Sequence, residues 1–221
     1  SLSEALAPAI RLAKDGFIVP HRFTIGLERA ANRLKRWPAT KATFYKEDGS
    51  APQPGEVFKQ PELTATLQRI AEKGIKGFYE GETARLIVEE MQRNDGLITL
   101  DDLKNYQPAI RQPVHGTYRG YNIFSMSPPS SGGTHIVQIL NILEGYPIGD
   151  MGHNSAATLH YMAEAMKLAY ADRSQYLGDT DFIEVPLKAL TSKEYASELR
   201  KTISPDKARP SSDIQHGKPA D

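Results

Sequence analysis

Cysteine is absent from the 221 residues. Disulfides, Cys-ligated zinc, iron–sulfur clusters and a thiol nucleophile are therefore excluded for this chain. An excess of either charge is absent too, since 27 Lys+Arg stand against 27 Asp+Glu and the formal net charge is zero. A nucleic-acid binder normally carries a basic surplus to neutralise phosphates, so that class is set aside. No apolar run approaches the length that spans a bilayer. Neither an initial Met nor a signal-peptide pattern precedes the helical pattern that opens at Ser1, so a processed product or a fragment is expected. What is present is ordinary. Hydrophobic residues make up 39% and charged residues 24%, on a length that suits one large domain or two small ones.

Helical periodicity dominates. Leu6, Ala9, Ile10 and Ala13 predict a helix over 2–14 with Gly16 as its stop, and a second helix is expected over 22–35. The Pro- and Gly-punctuated stretch 37–55 reads as an irregular loop with one short strand at 42–45. Pro61 then opens a helix that ends at Gly74, and Glu80 or Gly81 opens another that closes at Gly96. Thr99 and Asp102 have capping-box spacing for a short helix. The pattern changes at 114–126, where Val114, Tyr118, Tyr121, Ile123 and Phe124 flank Arg119-Gly120 and predict a hairpin. An apolar helix follows over 134–143. The longest helix is expected over 155–177, with Leu159, Met162, Ala163, Met166 and Tyr170 as its inward apolar stripe. A last helix covers 192–203. Residues 204–221 are rich in Pro, Ser, Lys and Asp and are expected to form a flexible tail.

Candidate chemistry concentrates at the turn before the apolar helix, Ser127-Pro128-Pro129-Ser130-Ser131-Gly132-Gly133. Ser130, Ser131, Gly132 and Gly133 could cradle an anion at a helix N-terminus, where backbone N–H groups converge and the dipole adds positive potential. One of the serines could also act as nucleophile with His135 as base. Neither signature is complete, because a Gly-x-Ser-x-Gly elbow is missing and no Lys follows the glycines. The plainer reading is a strand-to-helix turn capped by a Ser hydroxyl. The six histidines show no His-x-x-x-His or His-Glu-x-x-His spacing, so no metal site is expected. Asp179 and Asp181 could bind calcium or form an acid–base pair, but an EF-hand ligand series is missing. The favoured reading has Asp172 and Arg173 paired with neighbours and Asp179 capping a turn.

The residues resemble a known family. Tyr118-Arg119-Gly120-Tyr121, Ser125 to Gly133 and Ile136-Val137-Gln138-Ile139-Leu140 carry the likeness, with Ala169-Tyr170-Ala171-Asp172-Arg173 and Tyr176-Leu177-Gly178-Asp179 downstream. Ile10 to Phe17, Gly96 to Thr99 and Lys207 to Ser212 support it. Together they are similar to the large subunit of γ-glutamyltranspeptidases, also called glutathione hydrolases, over almost the whole chain. Ser127 is one departure, where a third proline was expected. The resemblance implies an α+β fold, the four-layer αββα sandwich of N-terminal-nucleophile (Ntn) hydrolases. That sandwich is shared with a small subunit, and this chain is mostly helical with a hairpin.

The resemblance further implies a precursor that cuts itself in two, leaving an N-terminal Thr on the small subunit as nucleophile. The substrates implied are glutathione and other γ-glutamyl compounds, with water or amino-acid or peptide acceptors. No cofactor, no metal and no catalytic residue within this chain are implied. Residues 1–203 are expected to form part of the large subunit, and 204–221 the tail before the processing site. The donor-binding Arg and the oxyanion-hole glycines are expected outside this stretch. A periplasmic or extracellular location is expected. The alternatives are a cephalosporin acylase, a γ-polyglutamate depolymerase, or a fragment acting only as an interaction module.

Overall fold

The computed structural model describes residues 1–220. The chain divides into two compact units, Ser1–Pro108 and Ala109–Asp221. That boundary lies where the periodic pattern stops, between the Thr99 helix and the hairpin.

In the first unit, α1 (Leu2–Asp15) opens with a Ser1/Glu4 capping box and stops at Gly16, whose φ is 90°. Only glycine fits there, because a Cβ would lie 2.4 Å from Val57 Cγ1. The strand β1 (Phe17–Ile18) follows and pairs antiparallel with β2 (Val57–Phe58), with Phe17 opposite Phe58. Between them come α2 (His21–Leu34) and α3 (Pro38–Phe44). After β2 the chain forms α4 (Pro61–Lys73), which packs on α1, then α5 (Lys76–Tyr79), α6 (Gly81–Arg93) and α7 (Leu100–Asn105). The expected Thr99/Asp102 capping box starts α7. The core holds Leu27, Tyr45 and Ala51, with Phe23, Leu34 and Phe44 against them. Phe58 meets Phe17, Phe23 and Phe44 at centroid distances of 5.3–5.9 Å. Tyr45 donates its hydroxyl to the Leu27 carbonyl at 2.7 Å, which satisfies its polar end inside the cluster.

One expectation here is corrected. Residues 42–45 are not a strand, because α3 runs through them to Phe44. Pro38 occupies the first helical turn with its φ already set, and Ala39, Lys41 and Ala42 are helix formers. The strand that does exist is β2, further along the same stretch.

In the second unit, β3 (Val114–Tyr118) and β4 (Tyr121–Ser125) form the expected hairpin, with Val114 opposite Ser125. Arg119 and Gly120 both have positive φ, 48° and 86°, as a tight two-residue hairpin turn requires. Next come α8 (Gly132–Glu144), α9 (Ala156–Tyr176), α10 (Leu187–Leu190) and α11 (Lys193–Arg200). Gly116 lets the hairpin close on α8, since a Cβ there would lie 2.5 Å from Val137 Cγ1. Ile142, Leu143, Ala165, Leu168, Leu190, Tyr195, Ala196 and Leu199 make the core.

One expectation fails in this unit. The stripe of α9 faces outward: Leu159, Met162, Met166 and Tyr170 are 40–53% exposed. The buried face carries Glu164, Ala165, Leu168, Ala169 and Asp172 instead. Periodicity locates two faces of a helix, but what covers each is decided by neighbours. The polar tail carries contacts of its own. Residues 204–220 lie on α9 and α11, and Ile214 packs on the core. Its polar composition matches buried acceptors on α9 rather than solvent alone.

Candidate functional site

The turn before α8 was the first candidate. Its cleft, about 620 Å³, is lined by Arg111, Phe124, Met126, Pro128, Pro129 and Ser130 among others. Ser130 Oγ accepts from Gly132 N at 3.3 Å, a bond within the turn, while Ser131, the N-cap residue of α8, makes no side-chain cap bond. Ser131 Oγ accepts from Arg173 Nε at 3.1 Å. Gly133 has no room for a side chain, because a Cβ would fall 2.1 Å from the Met126 carbonyl oxygen. The two hydroxyls are thus engaged within the turn and with Arg173; the His135 backbone N–H donates to the Ser131 carbonyl at 3.0 Å, but neither hydroxyl is hydrogen-bonded to the His135 ring.

His135 is buried beneath Tyr170, with ring centroids 5.0 Å apart. Burial first, then the nearby Arg173 charge, push its pKa below the ordinary histidine range, so the ring is neutral at pH 7. Its Nε2, like Thr134 Oγ1 and Asn141 Oδ1, has no hydrogen-bond partner among the described residues. The four candidates therefore share one turn, but the geometry assembles no nucleophile–base pair there.

The concentrated electrostatics lie elsewhere, on the buried face of α9. Asp172 is 1% exposed and works as a hub of acceptors. Its Oδ2 takes Gln138 Nε2 at 2.5 Å and the Tyr195 hydroxyl at 2.8 Å, and its Oδ1 takes Gly217 N at 2.8 Å. Burial, followed by the hydrogen bond to Asp172, raises the Tyr195 pKa, so the hydroxyl remains a donor. Two turns earlier Glu164 is fully buried and faces Lys167 Nζ at 2.7 Å and Arg209 Nε at 3.1 Å. Burial alone would raise its pKa, but the hydrogen bonds from Lys167 and Arg209 outweigh it and hold the carboxyl below the usual range.

Sequence reading paired Asp172 and Arg173 with neighbours, and that holds, but it missed Glu164. The available signal was its place on the helix face shared with Ala165, Leu168 and Ala169. Asp179 Oδ1 accepts from Asp181 N at 3.0 Å and so caps its turn, while Arg111 pairs with Asp181 at 2.7 Å. Among the described residues no group of three His, Asp or Glu side chains is arranged to hold a metal ion. No helix among the described residues is long and apolar enough to cross a membrane.

The profile of the family described as Gamma-glutamyltranspeptidase matches residues 1–221. The chain belongs to the γ-glutamyltranspeptidase family. It is 48% identical over 98% of its length to the glutathione hydrolase proenzyme of Escherichia coli, and spans 37% of that protein. Acylase ACY 1 proenzyme from Pseudomonas is 41% identical over 94% of the chain, again across 37% of the relative. Among solved structures, Helicobacter pylori gamma-glutamyltranspeptidase superposes with a TM-score of 0.94 at 45% identity, covering 97% of this chain and 62% of that one. The γ-glutamyltranspeptidase fold of Ntn hydrolases is thus present over this portion. Its helices and two ribbons are one part of a longer family architecture.

Proposed function

We propose that this chain is part of the large subunit of a self-cleaving γ-glutamyl transferase or hydrolase. The observation that carries the reading is the unbroken family match across the chain, with a glutathione hydrolase proenzyme among its relatives. On this reading the nucleophile is neither Ser130 nor Ser131 but a Thr that self-cleavage places at the start of a separate small subunit. The Thr hydroxyl attacks the preceding carbonyl carbon, and the peptide C–N bond breaks as the nitrogen takes the hydroxyl proton. Water then hydrolyses the ester, leaving a carboxylate upstream and a free Thr. Its α-amine takes the hydroxyl proton as the oxygen attacks a γ-glutamyl amide, then passes it to the amide nitrogen as the C–N bond breaks and the amine leaves. The γ-glutamyl ester formed is passed to water or to the amine of an amino acid or peptide, with backbone N–H groups stabilising the oxyanion.

The role of this chain is to scaffold that site. Support comes from the outward apolar face of α9, where Leu159, Met162, Met166 and Tyr170 offer a surface for the small subunit. A periplasmic or extracellular location is part of the proposal, and cell fractionation tests it. A second reading, an amide-cleaving acylase with the same architecture, draws on the Pseudomonas relative.

The experiment is to express the complete polypeptide, determine intact masses and N-terminal sequences, and assay it with a γ-glutamyl anilide. Two polypeptides, the second starting at Thr, and anilide release are expected. A single uncut chain without release overturns the reading. Cleavage into two pieces that hydrolyse a cephalosporin side-chain amide, but not the anilide, transfers the substrate class to the acylases.

A further inference from the structure

The C-terminal segment tracks α9 in register. His160 Nε2 lies 2.7 Å from the Ser204 carbonyl oxygen, and Lys167 Nζ donates to the Arg209 carbonyl at 2.7 Å. Glu164 holds the Arg209 side chain at 3.1 Å and its backbone N–H at 3.2 Å. Further on, Asp172 accepts from Gly217 N at 2.8 Å, and the Tyr176 hydroxyl donates to the Gly217 carbonyl at 2.8 Å. The contacts advance along both strands of the pairing together. From His160 to Tyr176 they cover about 24 Å of helix at about 1.5 Å per residue.

Two of these anchors are carboxylates with almost no solvent contact. Burying a carboxylate is costly unless it is paired, so nothing in ordinary packing favours two on one helix face. Here the tail completes the pairing of each: Arg209 joins Lys167 on Glu164, and the Gly217 amide joins Gln138 and Tyr195 on Asp172. Gly217 itself admits no side chain, since a Cβ would lie 2.1 Å from the Tyr195 hydroxyl oxygen. A segment that only had to be polar and loose would need none of these constraints.

We propose that Glu164 and Asp172 form a two-point clasp that fixes the register of residues 209–217, and so positions the downstream peptide bond for self-cleavage. The inference rests on the functional reading above, because it needs a precursor that cuts itself beyond this segment. Glu164 and Asp172 touch no reacting atom, so they are positioning residues. Their leverage follows from the geometric demand of intramolecular attack, where a displacement of about 1 Å can slow the step about a hundredfold.

The test uses the complete precursor in four forms: wild type, Glu164→Gln, Arg209→Lys, and an insertion of two glycines directly after Ala220. The insertion leaves every anchor in place and shifts only the register beyond it, so it remains informative if Glu164→Gln folds poorly. Self-cleavage is followed by intact mass, and kcat and KM on the γ-glutamyl anilide are measured once cleavage is complete. Glu164→Gln and the insertion are expected to slow cleavage ten- to a hundredfold. Arg209→Lys, which keeps the ion pair, should stay within about threefold of wild type. Mature kcat and KM should change less than twofold in all forms. Wild-type cleavage rates in both Glu164→Gln and the insertion overturn the clasp, as does a parallel loss of mature kcat, which would mark general damage. A wild-type precursor that never cuts itself removes the functional reading, and the clasp with it.

Discussion

In residues 1–108 the core is closed by rings, with Phe58 touching Phe17, Phe23 and Phe44 from three directions. In residues 109–220 it is closed by aliphatic packing around Ile142, Leu168 and Leu190, and by a buried polar hub on Asp172. The ring cluster needs nothing beyond its own short ribbon and two helices. The hub binds together α8, α9, α11 and the tail, all distant in sequence. Apolar closure tolerates small shifts of shape, whereas a buried acceptor with three donors fails when any partner leaves. The second unit is thus the one whose order depends on a single side chain.

The strongest way to break that comparison is Asp172→Ala. Two buried donors and one half-buried donor would lose their acceptor, and at about 1–2 kcal/mol each the loss should reach about 3–5 kcal/mol. Phe58→Ala should cost about 3–4 kcal/mol through the cavity left among three rings. The sole tryptophan, Trp37, reports on the first unit, so urea unfolding can separate the two effects. Phe58→Ala should shift the Trp37 fluorescence transition, and Asp172→Ala should shift chiefly the far-UV dichroism. Both variants moving only the fluorescence would erase the contrast.

Acid should sharpen the contrast further. The folded Glu164 carboxyl has a lowered pKa, so its stabilisation is full above about pH 4.3, the unfolded value, and is lost as pH falls through the folded value. His135 also has a lowered folded pKa, so the unfolded chain binds its proton first and stability declines below about pH 6.5. Both groups belong to the second unit. Thermal melts from pH 7 to pH 2 should show Glu164→Gln flattening the part of the acid limb below about pH 4.3, and His135→Asn the part just below about pH 6.5. The smallest effect is expected at the outward face of α9. Met166→Gln should change the stability of this chain by less than about 0.5 kcal/mol while weakening capture of the remaining polypeptide in a pull-down.

Most helices and the hairpin were legible because their signals are local. Ser1, Thr99 and Ser155 sit at helix starts, Gly16 and Gly74 at helix stops, and Arg119-Gly120 demands left-handed backbone. The stretch 37–55 misled because Pro and Gly were read as loop signals, although Pro38 is equally a helix opener. The turn at Ser130 to Gly133 was legible as a strand-to-helix connection, but the expected Ser-hydroxyl cap is not made: N-cap Ser131 has no side-chain cap bond, and Ser130 Oγ bonds Gly132 N within the turn. Glu164 escaped notice because a charged residue on a helix is ordinarily solvated.

Local steric and hydrogen-bonding preferences, written in neighbouring residues, set where the chain turns, caps and repeats. Residue motifs in order along the chain likewise sufficed to point to the family. Whether Met166 or Glu164 faces the interior could not be read that way, because α9 has an apolar face and a face of small residues with two carboxylates, and either suits a helix. The choice was made by Gln138, Tyr195, Arg209 and Gly217, which meet Glu164 and Asp172 only after the chain has folded. Burial of charge is favourable only where partners converge, and convergence of residues more than twenty positions apart is a property of the folded chain.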